Sequence, residues 1–364
     1  MASSSTASRG SAPSNTCARC HQLATLICSG CRDAPPSPSD TSPVQPTYYC
    51  SPACQKAARS AHQDACGLLQ RRRALYRAAD TAQRVFYRFR EAVFEKVVER
   101  VEVDTYGNHL HVCDGGREDG EGSEKGPLVP FPHHLFEDER MEHAMLAYLA
   151  SSDGPGYLFA LIRGLLEGLV GQITEMRCKI RGHAGFAIIH HDRQGYEVDD
   201  DPALWHEVIV LSLRGPGPAP DEKYVLDLAA AEHGYAAPLV PYDEFADRIY
   251  AHTMEFDAYF GRAHRDVVAL DVSGEVSRDE RAERHLRAMM GFNLGTMERM
   301  DAAVEEWRAR EGEGMTLKNL LRLPEARFCR KRDEMVAFVG DALERYRAGK
   351  AAVGMEEWKT RIGG

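Results

Sequence analysis

Residues 17–66 read CARCHQLATLICSGCRDAPPSPSDTSPVQPTYYCSPACQKAARSAHQDAC. The metal-ligand types within them fall as Cys17-x2-Cys20-x7-Cys28-x2-Cys31-x18-Cys50-x3-Cys54-x7-His62-x3-Cys66. Seven of the chain's ten cysteines lie in this block, and the other three, Cys113, Cys178 and Cys329, are scattered. Two cysteines separated by two residues bring both sulfurs to one side of a tight turn, where one zinc ion accepts them. Cys50/Cys54 and His62/Cys66 have the i, i+4 spacing of a helical turn. Eight soft or borderline ligands make two tetrahedral sets, and the spacing alone leaves their partition open.

The block also needs metal. Its large apolar side chains are mainly Leu23, Leu26, Ile27, Tyr48 and Tyr49. So few cannot offset the ordering of the segment at roughly 1–2 kcal/mol per residue, whereas a structural zinc site contributes roughly 10–16 kcal/mol. Disulfides are the competing use of the thiols. Residues 1–16, MASSSTASRGSAPSNT, are polar and lack the apolar core of an export signal, so reduced thiols and an intracellular protein are expected.

This ligand order, with histidine seventh and YCSPACQ at its centre, resembles the MYND-type zinc finger; in a RING finger the histidine falls mid-order. The resemblance covers Cys17 to Cys66. It implies a cross-brace in which Cys17, Cys20, Cys50 and Cys54 hold one structural zinc and Cys28, Cys31, His62 and Cys66 the other. It also implies a protein-interaction module, in some members for short proline-containing peptides. Gln55 fits the family's Cys-Gln, but Arg59 stands where a tryptophan commonly follows, which removes a flat apolar contact surface.

Working outward, residues 1–16 are expected to be a disordered leader. The proline-rich stretch between Arg32 and Tyr49 reads as an extended excursion between ligands. From Leu68 to Val101 there is neither Gly nor Pro, and Leu75, Ala79, Ala82, Phe86, Phe89, Val93 and Val97 recur three or four apart. That spacing predicts a long amphipathic connecting helix, assigned to 67–112, with an arginine-rich opposite face. DGGREDGEGSEKGP gives a flexible acidic linker at 113–127. Residues 128–364 are read as an α+β domain of unassigned role, mostly helical with a small antiparallel sheet. Its helices are placed at Met141–Leu149, Tyr157–Met176, Tyr242–Arg265, Ser277–Arg310 with an interruption at Asn293/Gly295, and Leu317–Arg347. Gly185–His190 reads as a strand, and Val208–Leu213 with Lys223–Leu228 as a hairpin.

Charge narrows the function classes. The formal net charge is −10, yet residues 1–100 hold 14 Lys+Arg against 7 Asp+Glu, leaving −17 for the remainder. A nucleic-acid-coating surface is not indicated, and the helix arginines are expected to pair within the chain. The most apolar window, Tyr157–Ile173, is interrupted by Arg163 and Glu167, so no membrane span is expected.

Three further constellations bear on chemistry. Some MYND proteins carry a SET methyltransferase domain, but no Asn-His-x-Cys type segment occurs in 101–364. Tyr157–Tyr235 faintly resembles a transglutaminase-like cysteine hydrolase or acyltransferase core, with His206 and Asp227 in the places of its base and orienting acid. The nucleophile is missing: Tyr157 stands where a cysteine is wanted, and Cys178 lies at the far end of the expected helix. Histidine pairs at 133–134 and 190–191 are candidate ligands without obvious companions. The reading is a non-enzymatic, zinc-binding, regulatory or scaffolding protein acting on a protein partner, the alternative being a degenerate hydrolase.

Overall fold

The computed structural model describes residues 15–38, 42, 44–107, 109–115, 128–182, 184–185, 187–192, 194–198, 205–215, 221–250, 254–257, 259–269 and 280–351. Of the leader read at 1–16, residues 1–14 lie outside them and Thr16 forms a bridge with Leu23; of the linker read at 113–127, residues 116–127 lie outside them, while Cys113 and Asp114 belong to a strand and correct that boundary. The chain divides into two compact units, residues 1–73 with 214–220 and residues 74–213 with 221–364. Among the described residues, no helix is long and apolar enough to cross a membrane.

The first unit holds the cysteine block. Its sheet has two short strands, β1 (Leu26–Ile27) and β2 (Tyr48–Tyr49), paired antiparallel with Leu26 opposite Tyr49. Helix α1 (Pro52–Ala57) starts behind Ser51, whose hydroxyl accepts the Cys54 amide at 3.2 Å, and has Pro at its first position. Helix α2 (Arg59–Ala92) follows, and the division between units falls within it. The buried cluster here is Cys17, Ala24, Cys28, Cys31, Tyr49, Ala58 and Cys66. Tyr49 is its one large apolar side chain, while Leu23 is 75% and Leu26 39% exposed. The proline-rich excursion is tied to the helix by arginines. Arg72 donates to the carbonyl of Pro35 at 2.8 Å, and Arg73 to that of Arg32 at 2.7 Å.

The second unit has a conventional apolar core. Leu75, Ala79, Ala82, Phe86 and Phe89 of α2 are all buried, as their spacing predicts. The expected extent of that helix is wrong, however. It ends at Ala92, and residues 98–114 form a hairpin of β3 (Val98–Val103) and β4 (His109–Asp114). The β-branched valines at 97, 98, 101 and 103, and the burial of Leu110 and Val112 on one face of β4, favour sheet over helix. After α3 (Glu139–Ala147), α4 (Asp153–Tyr157) and α5 (Phe159–Leu166) comes β5 (Gln172–Cys178), so the helix expected over Tyr157–Met176 is also corrected. Then follow β6 (Ala187–His191), β7 (Glu197–Val198), β8 (His206–Leu213), β9 (Glu222–Leu226), β10 (Leu239–Pro241), α6 (Tyr242–Ala246), β11 (Glu255–Asp257) and α7 (Arg262–Ala269). The helix expected over Tyr242–Arg265 is thus broken by β11, which pairs with β5, setting Phe256 opposite Met176. Helices α8 (Glu280–Glu311), α9 (Leu317–Arg322) and α10 (Glu325–Ala351) close the described chain, and α8 runs through Asn293 and Gly295 without a break.

The described strands of the second unit make two sheets. One is antiparallel, in order β10-β9-β8-β5-β11; the other runs β3-β4-β6-β7, with β4 and β6 parallel. The hairpin read at Val208–Leu213 and Lys223–Leu228 is β8–β9.

Two α2 arginines reach helix ends, Arg77 buried and Arg90 half-buried. Arg77, whose side chain is 6% exposed, donates to the carbonyls of Leu321 and Leu323 at 2.8 and 2.7 Å and pairs with Glu325 at 2.5 Å. Arg90 donates to the Leu146 carbonyl at the end of α3 and pairs with Asp153. A cation there meets the negative end of the helix dipole. Arg77→Met leaves two carbonyls unpaired and is expected to cost about 2–3 kcal/mol in denaturant unfolding. Arg84→Met, removing an exposed pairing with Asp80, is expected to stay within about 0.5 kcal/mol.

Candidate metal centre

Each ligand of the finger is placed by a local device. The amide of His21 donates to the Cys17 carbonyl at 2.9 Å, closing the turn that holds Cys17 and Cys20. The amides of Cys31 and Arg32 both reach the Cys28 carbonyl and close the second turn. Because β1 and β2 run antiparallel, the chain leaves β1 at Cys28 and β2 at Cys50 at opposite ends of the ribbon. That is why the two sets interleave: each strand delivers its following cysteine to a different site. Helix α1 supplies Cys54 beside Cys50, and the first turns of α2 supply His62 and Cys66.

The ligand atoms of Cys17, Cys20, Cys50 and Cys54 lie within 4.8 Å of one another, as do those of Cys28, Cys31, His62 and Cys66. In the first set the Sγ separations are 3.4 Å for Cys20–Cys50, 3.5 Å for Cys50–Cys54 and 3.8 Å for Cys54–Cys20. In the second, Cys28 and Cys66 are 3.7 Å apart, and Cys31 Sγ is 3.1 Å from His62 Nε2. A disulfide requires about 2.05 Å, whereas a tetrahedron with Zn–S bonds near 2.3 Å has an edge of roughly 3.8 Å. The sulfurs are unbonded to each other and spaced for a shared ion; all these cysteines are free. The two tetrads fit two structural zinc ions.

The surroundings support the second site. Gln70 donates its side-chain amide to Cys66 Sγ at 3.1 Å, the kind of outer partner that fixes a ligand. Gly30 is required by this packing, because a Cβ there would lie 2.7 Å from Cys66 Sγ and 2.5 Å from the Gln70 amide.

Electrostatics shows what the sets lack without a cation. Burial opposes ionisation of Cys17, yet amides of Cys20, Cys50 and Arg19 bring its pKa down to about 6. Cys28, also disfavoured by burial, is brought to about 7 by His62 and the amides around it. Thiol contacts with Cys20 and Cys54 push Cys50 up to about 12, and burial together with Cys66 and Cys28 raises Cys31. Within each set one thiolate forms at the expense of its neighbours. A dication removes that conflict and lets every ligand ionise.

Residues 17–66 match the family model of the MYND finger. This segment is a MYND-type finger, with all eight expected ligands in the two expected sets. No curated protein matches the chain, nor does any solved structure.

Nothing found supports the transglutaminase-like resemblance. His206 Nε2, at the start of β8, and Asp227 Oδ2, one residue past the end of β9, are 2.9 Å apart and both residues are buried. Burial disfavours the imidazolium, but the Asp227 carboxylate outweighs it and raises the His206 pKa. Tyr157 is buried at the end of α4. Cys178 ends β5 opposite His206, and its thiol donates to the His206 carbonyl at 3.7 Å. Burial and the charge of Asp227 push that thiol up to about 12, so it is protonated at neutral pH.

The histidine pairs divide. His133 meets Glu142, His190 meets Asp114 at 2.7 Å and His191 meets His111 at 2.8 Å; among the described residues none of them joins a three-ligand cluster. A third cluster does exist among residues the sequence did not connect, His206 with Glu232 and His233. Their proximity follows from strand register and a short 3₁₀ turn, neither of which leaves a spacing signature.

Cys28→Ser is expected to lower bound zinc by one ion per chain, and Cys17→Ser/Cys28→Ser by two, measured by elemental analysis of the full-length protein. Acidification protonates the thiolates and is expected to release the same ions. Metal content unchanged in the double variant would contradict the assignment.

Proposed function

We propose that this chain is a non-enzymatic regulatory or scaffolding protein that contacts a protein partner through its finger. The supporting observation is that each tetrad is completed by four protein ligands, which leaves no coordination position for water or substrate and gives the ions a structural task. What the zinc frame presents outward is side chains: Leu23 and Leu26 around β1, and Gln55 and Arg59 on α1 and α2, are exposed. With Arg59 in the place of a tryptophan, a finger that exposes isolated leucines and a cation suits a partner segment with both apolar and acidic residues better than a purely proline-rich one. The paired Arg72, Arg73, Arg77 and Arg90 are engaged within the chain, which argues against a nucleic-acid role for the helix.

Affinity capture on the full-length chain tests this reading. Leu23→Asp/Arg59→Glu is expected to keep both finger ions while losing the specific partners captured by the unaltered protein; an unchanged partner set overturns it. For the non-enzymatic part, Cys178 is expected to resist iodoacetamide at neutral pH in the folded chain. Rapid labelling that His206→Ala abolishes would restore the hydrolase alternative.

A further inference from the structure

The His206, Glu232 and His233 cluster has the build of a metal site. His206 lies at the start of β8 and is buried, with its Nε2 engaged by Asp227. That leaves Nδ1 as the atom facing the cluster, and His233 Nε2 is 3.4 Å from it. A carboxylate bound to one ring nitrogen while the other faces a ligand cluster is the usual way a metal-binding histidine is oriented and made more basic.

Asp227 also organises the other two members. Its second oxygen accepts the amide of Ala229 at 3.1 Å, at the entrance to the 3₁₀ turn Ala230–His233 that carries Glu232 and His233. The turn ends at Gly234, where φ is +79° and a Cβ would lie 2.4 Å from the Gly185 amide. The His233 carbonyl accepts the Ala184 amide at 2.8 Å, which fixes the main chain there. The Leu149 amide donates to Glu232 Oε1 at 2.9 Å, so the carboxylate is held as well.

Two readings of the imidazole pair differ in distance. A direct N–H donor bond has a preferred length of about 2.9–3.0 Å. Two nitrogens sharing a tetrahedral ion at about 2.05 Å lie roughly 3.3 Å apart. The observed 3.4 Å is long for a direct hydrogen bond and close to the spacing of two nitrogens on one ion. All three ligand atoms lie within 4.8 Å of one another, and Glu232 and His233 are half-buried, which leaves the cluster a route to solvent.

We propose that His206 Nδ1, His233 Nε2 and the Glu232 carboxylate bind a third zinc ion, oriented by Asp227 through His206 and with one position left for water. Two nitrogens and one oxygen form the borderline donor set that zinc accepts at sites retaining an open position. This site is independent of the finger and of its role in partner contact.

Full-length protein equilibrated with zinc and desalted is expected to hold three ions per chain, two of them in the finger. Glu232→Gln and His233→Asn are each expected to reduce the count to two. A cobalt-exchanged sample of each should retain the sulfur-to-cobalt charge-transfer band of the finger, and circular dichroism should show an intact fold. On the unaltered chain, the third cobalt equivalent is expected to add ligand-field absorption without increasing the charge-transfer band. The proposal is overturned by an unaltered chain that stops at two ions, by folded variants that keep three, or by a third equivalent that intensifies the sulfur band. In Cys17→Ser/Cys28→Ser the third ion is expected to remain, so a fault in the finger assignment reads out separately.

Discussion

Thiols held within 4 Å of one another cannot all become thiolates unless a cation lies among them, and the first unit depends on that constraint. Its buried cluster is four cysteines, two alanines and a tyrosine. A cluster this small removes little hydrocarbon from water, so the hydrogen bonds that close the turns at Cys17–Cys20 and Cys28–Cys31 and pair the two-residue strands need the metal sites to hold them. Strand direction does the rest: a ribbon of two antiparallel residues separates the sites, and the helical spacing of Cys50/Cys54 and His62/Cys66 completes them. The leucines that would form a core in a metal-free domain are instead on the outside, where they are available to a partner.

The second unit is stabilised differently. Helix α2 buries a stripe of Leu75, Phe86 and Phe89, and α8 packs on α10. Several charged groups enter this interior with partners. Arg77 and Arg90 meet helix C-termini, and the buried Glu175 carboxylate accepts the amides of Gly261 and Ala263 at 2.6 and 2.9 Å where α7 begins. Charges at helix ends satisfy backbone groups that would otherwise be orphaned, which is how a helix-rich unit accommodates ionised side chains below its surface.

The zinc ligands were readable from sequence because their chemistry is local: residue type, order and spacing carry the whole signal. The stripe on α2 was readable for a similar reason, its period being that of the helix. Its end was not, because the valines after Ala92 become strand only through pairing with β4. Gln172–Cys178 shows the same effect. Its apolar content continues that of α5, and pairing with β8 decides its conformation. His206 was correctly read as opening a strand, whereas Asp227 lies just past the end of β9 rather than on it, and Glu232 and His233 passed unnoticed, since it is a 3₁₀ turn that brings them to His206.

The parallel pairing of β4 with β6 bears on how the second unit acquires its shape. Leu110 meets Ile188 only after all of α3, α4, α5 and β5 has been laid down between them. A parallel ladder has no hairpin to nucleate it, and closing so long an intervening segment carries an entropic barrier before any reward. The four-stranded sheet is therefore expected to assemble after the local β3–β4 hairpin. Until β6 is in place β4 has an unpaired edge, the kind of feature that invites pairing with a wrong strand.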